Sequence, residues 1–264
     1  VVTVSIQESI PPILRPDRVK PLSVAEFQSR FGLTQANSVS VAEAQSLTGI
    51  SMNTGDLRAG DLFVAMPGKK THGAAFAQKA IESGAVAVVT DAQGFELLHD
   101  TTVPAAVPVL LLENPRRYLG ELAAFVYGNQ AGKQPTIYGT TGTNGKTSTT
   151  YLLEGILRQL GQVTGLTSTA ERHIAGEVIV SRLTTPESTE MQALIARMRE
   201  RGVESIAIEV SAQALSQLRV DGIKFDVVGF TNLSHDHFDD YGGFEPYLAA
   251  KAELFTPERA ARGV

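Results

Sequence analysis

From Leu22 onward the apolar and polar positions of this chain fall into segments of two periods, one helical and one extended. Val24 to Phe31 repeats at helical spacing and predicts a short helix. The stretch around Thr48–Met52 and the run Asp61–Met66 (DLFVAM), flanked by turn residues, predict strands. His72–Ser83 predicts a helix, and the apolar runs Ala85–Thr90 and Val107–Leu112 predict buried strands. Pro115–Tyr127 is amphipathic, with Leu119, Leu122, Ala123 and Val126 on one face. Together these elements predict an α/β unit ending near Gly132, preceded by an extended arm over the proline-rich residues 1–22.

A second series starts after Lys133–Pro135. Strands are expected at Thr136–Thr141, Val163–Thr167, Ser205–Val210 and Asp226–Phe230, and helices at Lys146–Leu160, Pro186–Arg201 and Phe244–Phe255. Thr185 is expected to cap the helix that begins with Pro186, with Glu187 near its positive end. Strands alternating with crossover helices imply a parallel sheet. The reading is therefore two α/β domains, residues 1–132 and 133–264. Another strand is expected to start at Arg262-Gly263-Val264, and the second domain is expected to be truncated there.

Composition narrows the function. A hydrophobic fraction of 43% and a charged fraction of 19% are those of an ordinary globular chain. A net charge of -5 argues against nucleic acid or an anionic membrane as partner, without excluding a local basic pocket. The chain has no Cys, which rules out disulfides, thiolate metal sites and Cys nucleophiles. The first residues do not read as a signal peptide, and no apolar run has the roughly 18 residues that would span a bilayer. A cytoplasmic protein is expected.

The strongest motif is Gly139-Thr-Thr-Gly-Thr-Asn-Gly-Lys-Thr147, between a predicted strand and a predicted helix. Such a loop curls its N–H groups toward phosphate oxygens, and the helix dipole adds to the attraction. Lys146 would reach the β- and γ-phosphates and the Thr147 hydroxyl would ligate Mg²⁺. The residues expected on nucleotide are Gly142, Thr143, Asn144, Gly145, Lys146, Thr147 and Ser148. Thr140 stands where the usual pattern has Gly, and a Gly-rich turn without a ligand is the plainer alternative.

Further candidates sit at predicted strand ends. Glu209 and His237, in SHDHFDD, could share a divalent cation, or could merely end a strand and fill a loop. Thr184 and Thr185 could hold a carboxylate at a helix N-terminus or simply cap it. Arg219 suits a bidentate carboxylate contact but could equally be a surface residue. Lys251, in AAKAELF, reads by itself as a solvated helical lysine.

The spelling TGTNGKT resembles the ATP loop of the Mur ligases and of the related folylpolyglutamate synthases. The resemblance extends over nearly the whole chain, through GDLFVAMPGKKTHGAAFAQKAIESGAVAVVTD, LTTPE, IEVSAQALSQLRVDG, FTNLSHDHFDDYG and YLAAKAELF, in the order of the MurE type. It implies an N-terminal α/β UDP-binding domain followed by a P-loop, Rossmann-like ATPase domain. The implied activity is ATP-dependent amide ligation of a diamino acid to UDP-MurNAc-L-Ala-D-Glu, via an acyl phosphate, in peptidoglycan synthesis by a monomer. The resemblance implies Lys146, Glu209, His237 and Lys251 as catalytic residues. It implies Mg²⁺ on Thr147, Glu209, His237 and a carbamylated Lys251. It assigns Thr184, Thr185, Ser211, Gln217 and Arg219 to the muramoyl dipeptide. Ser51, with Lys69, Lys70 and Thr71 of the segment Pro67–Gly73, sits at the positions resembling the uridine-diphosphate site. Two positions depart from the family: Gln213 replaces a His, and Ser51 lies in ISMN where Asp-Ser-Arg is frequent. The domain that selects the amino acid falls outside these residues, so this fragment is expected to be inactive alone. The rival readings are a folylpolyglutamate synthase, a silent UDP-sugar-binding module and a generic P-loop ATPase or kinase.

Overall fold

Two sheets, each with strand C-termini opening toward a shared cleft, carry the molecule in a computed structural model that describes residues 13–41, 46–234 and 241–264. The described part of the arm, residues 13–22, runs without a helix and straps the surface. Its Arg15 makes a bidentate, buried pair with Asp61 at 2.6 and 2.7 Å. The backbone N–H groups of Asp17 and Arg18 donate to the Glu200 carboxylate at 2.8 and 2.9 Å.

The first sheet has the order β1(Thr34–Gln35), β5(Val109–Leu111), β4(Ala87–Thr90), β3(Asp61–Val64), β2(Gly49–Ser51). Strands β2 to β5 are mutually parallel and β1 runs antiparallel to β5. Every residue of β3 and β4 is buried, as expected of parallel strands covered on both faces. Helix α1(Val24–Phe31) is set by a capping box: the Ser23 hydroxyl accepts from the Glu26 N–H while the Glu26 carboxylate accepts from the Ser23 N–H. Gly32, at φ 60°, ends it in the left-handed conformation. His72–Ser83 divides into a 3₁₀ turn at Gly73–Phe76 and α2(Ala77–Glu82). The short helices α3(Ala92–Leu98) and α4(Val103–Ala106) lie between β4 and β5, and α5(Pro115–Val126) follows.

The second sheet is built from β6(Thr136–Thr141), β7(Thr164–Thr167), β8(Glu171–Ile174), β9(Glu177–Val180), β10(Ser205–Glu209) and β11(Val227–Phe230), in the order β11-β6-β10-β7-β8-β9. The first four positions are parallel, as the alternating pattern predicts. The far edge corrects that expectation, because β8 and β9 form an antiparallel hairpin. Its two-residue turn, Ala175-Gly176, has φ of 50° and 91°, the doubly positive geometry that suits the strand twist. Parallel bridges Phe225–Ala260 and Val228–Gly263 lay the end of the chain beside β11, where a strand is expected to begin. The helices are α6(Lys146–Gln159), α7(Ser188–Glu200), α8(Ala212–Ser216) and α9(Phe244–Ala252), with a 3₁₀ turn at Glu253–Phe255.

Helix α7 starts later than the sequence suggests. Its N-cap residue is Glu187, so Thr185 does not cap it. The Thr185 hydroxyl is instead fully buried, donating to the Glu209 carbonyl at 3.0 Å and accepting from the Ser211 N–H at 3.2 Å.

Helices α5 and α7 pack together and join the two halves. Ala193 and Ala196 of α7 belong to the same apolar cluster as Leu119, Leu122 and Ala123 of α5. Asn129 donates to Gln192, and Arg199 donates to the carbonyl of Tyr127 at 2.8 Å. The closest approach is at Gly120, where an added Cβ would stand 1.8 Å from the carbonyl oxygen of Asp221. Backbone cannot yield there as a flexible side chain would. Gly120→Ala should therefore destabilise the chain by about 1–3 kcal/mol through overpacking, measured by denaturant unfolding. Unchanged stability would show that the halves do not meet at this point.

Candidate functional site at the joined strand ends

Strand β6 delivers the chain into the glycine-rich loop, and α6 begins at Lys146. Gly145 has φ 82°, so the turn into the helix needs a residue that tolerates the left-handed region. Gly142 has φ 141°, and a Cβ there would lie 2.0 Å from the Thr231 hydroxyl. The loop is held from one side by the residues after β11. Thr143 N–H donates to the Asn232 carbonyl at 2.8 Å, Asn144 N–H to the Asn232 side chain at 3.0 Å, and the Thr231 hydroxyl to the Asn144 carbonyl at 2.7 Å. Lys146 Nζ donates to the Thr143 carbonyl at 2.9 Å, folding the cation over its own loop.

The second component is Glu209, at the C-terminal end of β10 and only 2% exposed. A buried carboxylate requires donors. Thr147 supplies its hydroxyl at 2.9 Å and Thr169 its backbone N–H at 2.9 Å, both to Oε2. The Thr169 hydroxyl lies 3.2 Å from each carboxylate oxygen and 3.1 Å from the Thr184 hydroxyl. With one proton it serves one of these acceptors at a time. Thr147 and Glu209 thus present hard oxygen atoms side by side, from the helix start after the glycine-rich loop and from the neighbouring strand. A carboxylate has about four acceptor positions, so Glu209 keeps capacity toward a cation. A single carboxylate beside a hydroxyl fits Mg²⁺, which is ordinarily held by few protein ligands together with phosphate oxygens. Among the described residues no three His, Asp or Glu side chains converge as a self-sufficient metal site. His237 lies outside the described residues.

Lys251 is the third component and corrects the bland expectation of a solvated lysine. It is 1% exposed on α9, donates to the Gly142 carbonyl at 2.7 Å and stands 4.3 Å from the centre of the Tyr247 ring. The glycine-rich loop, β10 and α9 therefore converge.

A cavity of about 590 Å³ opens on this convergence, lined by Lys146, Thr169, Thr184, Glu209, Ser211 and Lys251 among others. Gln217, Arg219 and the exposed Gln213 also line it. The Ser211 hydroxyl accepts from Ala214 N–H as the cap of α8. A larger cavity of about 1450 Å³ lies between the two sheets and includes Ser51, Lys69, Thr71, Arg116, Arg182 and Glu187. Lys69, Leu183 and Gln217 line both cavities, so the two form one continuous cleft. Ion pairs join its walls: Asp56 with Arg182 at 3.1 Å and Arg116 with Glu187 at 2.8 Å.

Most of the residues singled out in the sequence thus come together. Lys70 does not line either cavity, Ser51 turns its hydroxyl to the Asn53 carbonyl at 2.9 Å, and Thr185 is buried behind Glu209. Ser148 is exposed at the start of α6. Sequence reasoning missed Thr169, which sits in an unpatterned turn between β7 and β8. It also missed Arg116 and Arg182, which no motif marks.

Comparison with known proteins identifies this architecture. Residues 140–262 match the Mur ligase middle domain, and residues 46–127 match the Mur ligase family catalytic domain. A UDP-N-acetylmuramyl-tripeptide synthetase of Leifsonia xyli subsp. xyli is 51% identical over 254 residues, covering 96% of this chain and 48% of that protein. A UDP-N-acetylmuramoyl-L-alanyl-D-glutamate--2,6-diaminopimelate ligase of Streptomyces coelicolor is 44% identical over 250 residues, covering 95% of this chain and 47% of that protein. The chain therefore spans about half the length of these relatives. A solved structure of a UDP-N-acetylmuramoyl-L-alanyl-D-glutamate--2,6-diaminopimelate ligase superposes with a TM-score of 0.73 over 93% of this chain and 47% of its own, at 23% identity, which is a likeness of fold. Two matching domain descriptions in series, and relatives 44% and 51% identical over nearly the whole chain, establish that this chain belongs to the Mur ligase family.

Proposed function

We propose that this chain is the nucleotide- and muramoyl-binding part of a MurE-type ligase, which joins a diamino acid to UDP-MurNAc-L-Ala-D-Glu at the expense of ATP in the cytoplasm. The observation that carries the reading is the single cleft running from Ser51 and Lys69 to Lys146 and Glu209. An elongated substrate with a nucleotide at one end and a carboxylate at the other fits such a cleft. The division into domains at residues 132 and 133 belongs to the same reading: the first sheet takes the uridine-diphosphate end and the second takes ATP.

In this reading Gly142–Ser148 cradle the phosphates of ATP, and Lys146 leaves the Thr143 carbonyl to lie on the β- and γ-phosphates. Thr147 and Glu209, with His237, would hold Mg²⁺. When bound, the ion neutralises charge on the transferring phosphoryl group. Arg219, Gln217 and Thr184 hold the terminal D-Glu, and Ser211 caps the short helix that leads to Gln217 and Arg219. A carboxylate oxygen of the substrate attacks the γ-phosphorus, the bond to ADP breaks, and an acyl phosphate forms. The amine of the diamino acid then attacks the carbonyl carbon, phosphate leaves, and a proton is lost from nitrogen. The residues of the chain act by position and charge.

Lys251 belongs to the same proposal as a carbamate. An ammonium only donates hydrogen bonds and cannot ligate a cation. Attack of its neutral amine on CO₂ would form a C–N bond, open one C=O π bond onto oxygen and release one proton to solvent, leaving one N–H and two acceptor oxygens.

In the full-length enzyme, Lys146→Ala should lower turnover by about 10²–10³-fold, the loss typical of one charge-stabilising donor; steady-state phosphate release measures it, and turnover near that of the parent would remove this loop from the chemistry. Lys251→Ala should lose most activity, and a short carboxylic acid in the buffer should restore part of it by filling the vacated space. A high-resolution density map of the Mg²⁺-bound full-length enzyme should show the carbamate, and an unmodified amine there would refute it.

A further inference from the structure

One carboxylate links a residue lining the larger cavity to a residue lining the smaller. Glu187 stands at the N-cap of α7 and holds two guanidinium groups, one from each half of the molecule. Arg116, in the first turn of α5, donates from Nη1 to Glu187 Oε2 at 2.8 Å. Arg219 Nε lies 2.8 Å from Glu187 Oε1 without being aimed for a hydrogen bond, so this contact is one of charge. The rest of the Arg219 group is fixed by Gln217 Oε1 at 2.7 Å and the Thr185 carbonyl at 3.4 Å. Arg116 and Glu187 line the larger cavity and Arg219 lines the smaller. The three side chains are 27%, 23% and 13% exposed, so water screens them only in part.

The charges decide what this arrangement does. Two guanidinium groups share one carboxylate, so the trio keeps one positive charge. Without Arg116, Glu187 would answer Arg219 alone. The pair would be neutral, the guanidinium would turn toward Glu187, and its attraction for an anion in the smaller cavity would fall. Arg suits this position better than Lys, because its charge is permanent and its planar group holds an orientation.

We propose that Arg116 is a positioning residue: through Glu187 it sets the direction and the free charge of Arg219, and so the affinity of the smaller cavity for the terminal carboxylates of its substrate. This rests on the reading of that cavity as the D-Glu site. It makes the nucleotide-side wall of the cleft part of the device that recognises the far end of the substrate.

Calorimetry on this chain separates the possibilities, using two ligands, UDP-MurNAc-L-Ala-D-Glu and the shorter UDP-MurNAc-L-Ala. Arg116→Met should weaken the longer ligand about tenfold, a coupling typical of a shared charge network, and leave the shorter one nearly unaffected. Arg219→Met should show the same selectivity, and the double variant should lose no more than Arg219→Met alone. Equal weakening of both ligands by Arg116→Met would mean that Arg116 touches the nucleotide end directly, and would overturn the proposal. Additive losses in the double variant would overturn it too. If Arg219→Met fails to distinguish the ligands, the D-Glu reading of the cavity falls, and the role of Arg116 with it. Thermal unfolding checks the variants. Should Arg116→Met not fold, Arg116→Gln, which keeps a polar contact but no charge, must show the same selective loss.

Discussion

A carboxylate buried at the end of a central strand must be surrounded by donors or it destabilises the fold, and Glu209 is such a carboxylate. Its donors come from Thr147 at the start of α6 and from Thr169 beyond β7. Its own backbone carbonyl accepts from Thr185. One residue thus ties the start of α6 after the glycine-rich loop, the turn before the β8–β9 hairpin and the segment leading to α7. The parallel sheet makes this possible, because β6, β7 and β10 all end on the same side. Ligand sites at the carboxyl ends of such strands follow from that geometry.

The second constraint is the contact between the halves. Helices α5 and α7 share an apolar cluster, and Gly120 lets the backbone around Asp221 come close. That packing places Arg116 within reach of Glu187 and Asp56 within reach of Arg182. The cleft is consequently a property of both halves. Its walls are built from side chains that are far apart in sequence.

Much of this was legible in the residues alone. The strand, loop and helix around Lys146 follow from a pattern whose glycines have a definite physical task, and β6 runs over the residues expected. Glu209 could be singled out as an acidic residue at a predicted strand end, whereas Lys251 entered through the family resemblance, and its burial shows why its own sequence could not have found it: a lysine in a helix ordinarily reads as solvated. The hairpin of β8 and β9 escaped notice because its turn is Ala175-Gly176, where the usual cue is Asn-Gly or Asp-Gly. Strand β1, only two residues long, carries no period to detect. Thr185 was misread as a cap because a Thr before Pro and Glu imitates a helix start, while the helix begins two residues later and the hydroxyl serves Glu209 instead. Arg116, Thr169 and Arg182 depend on tertiary neighbours that no local pattern announces.

The central claim is that one continuous cleft seats the substrate with its nucleotide against the first sheet and its carboxylate against Glu209 and the phosphate loop. A crystal structure of this chain soaked with UDP-MurNAc-L-Ala-D-Glu tests it most directly. The account predicts uridine diphosphate beside Ser51, Lys69 and Thr71, and the D-Glu carboxylate in the smaller cavity beside Arg219. Uridine bound among Lys146, Thr147 and Glu209, or a glutamate directed away from Arg219 into solvent, would contradict it.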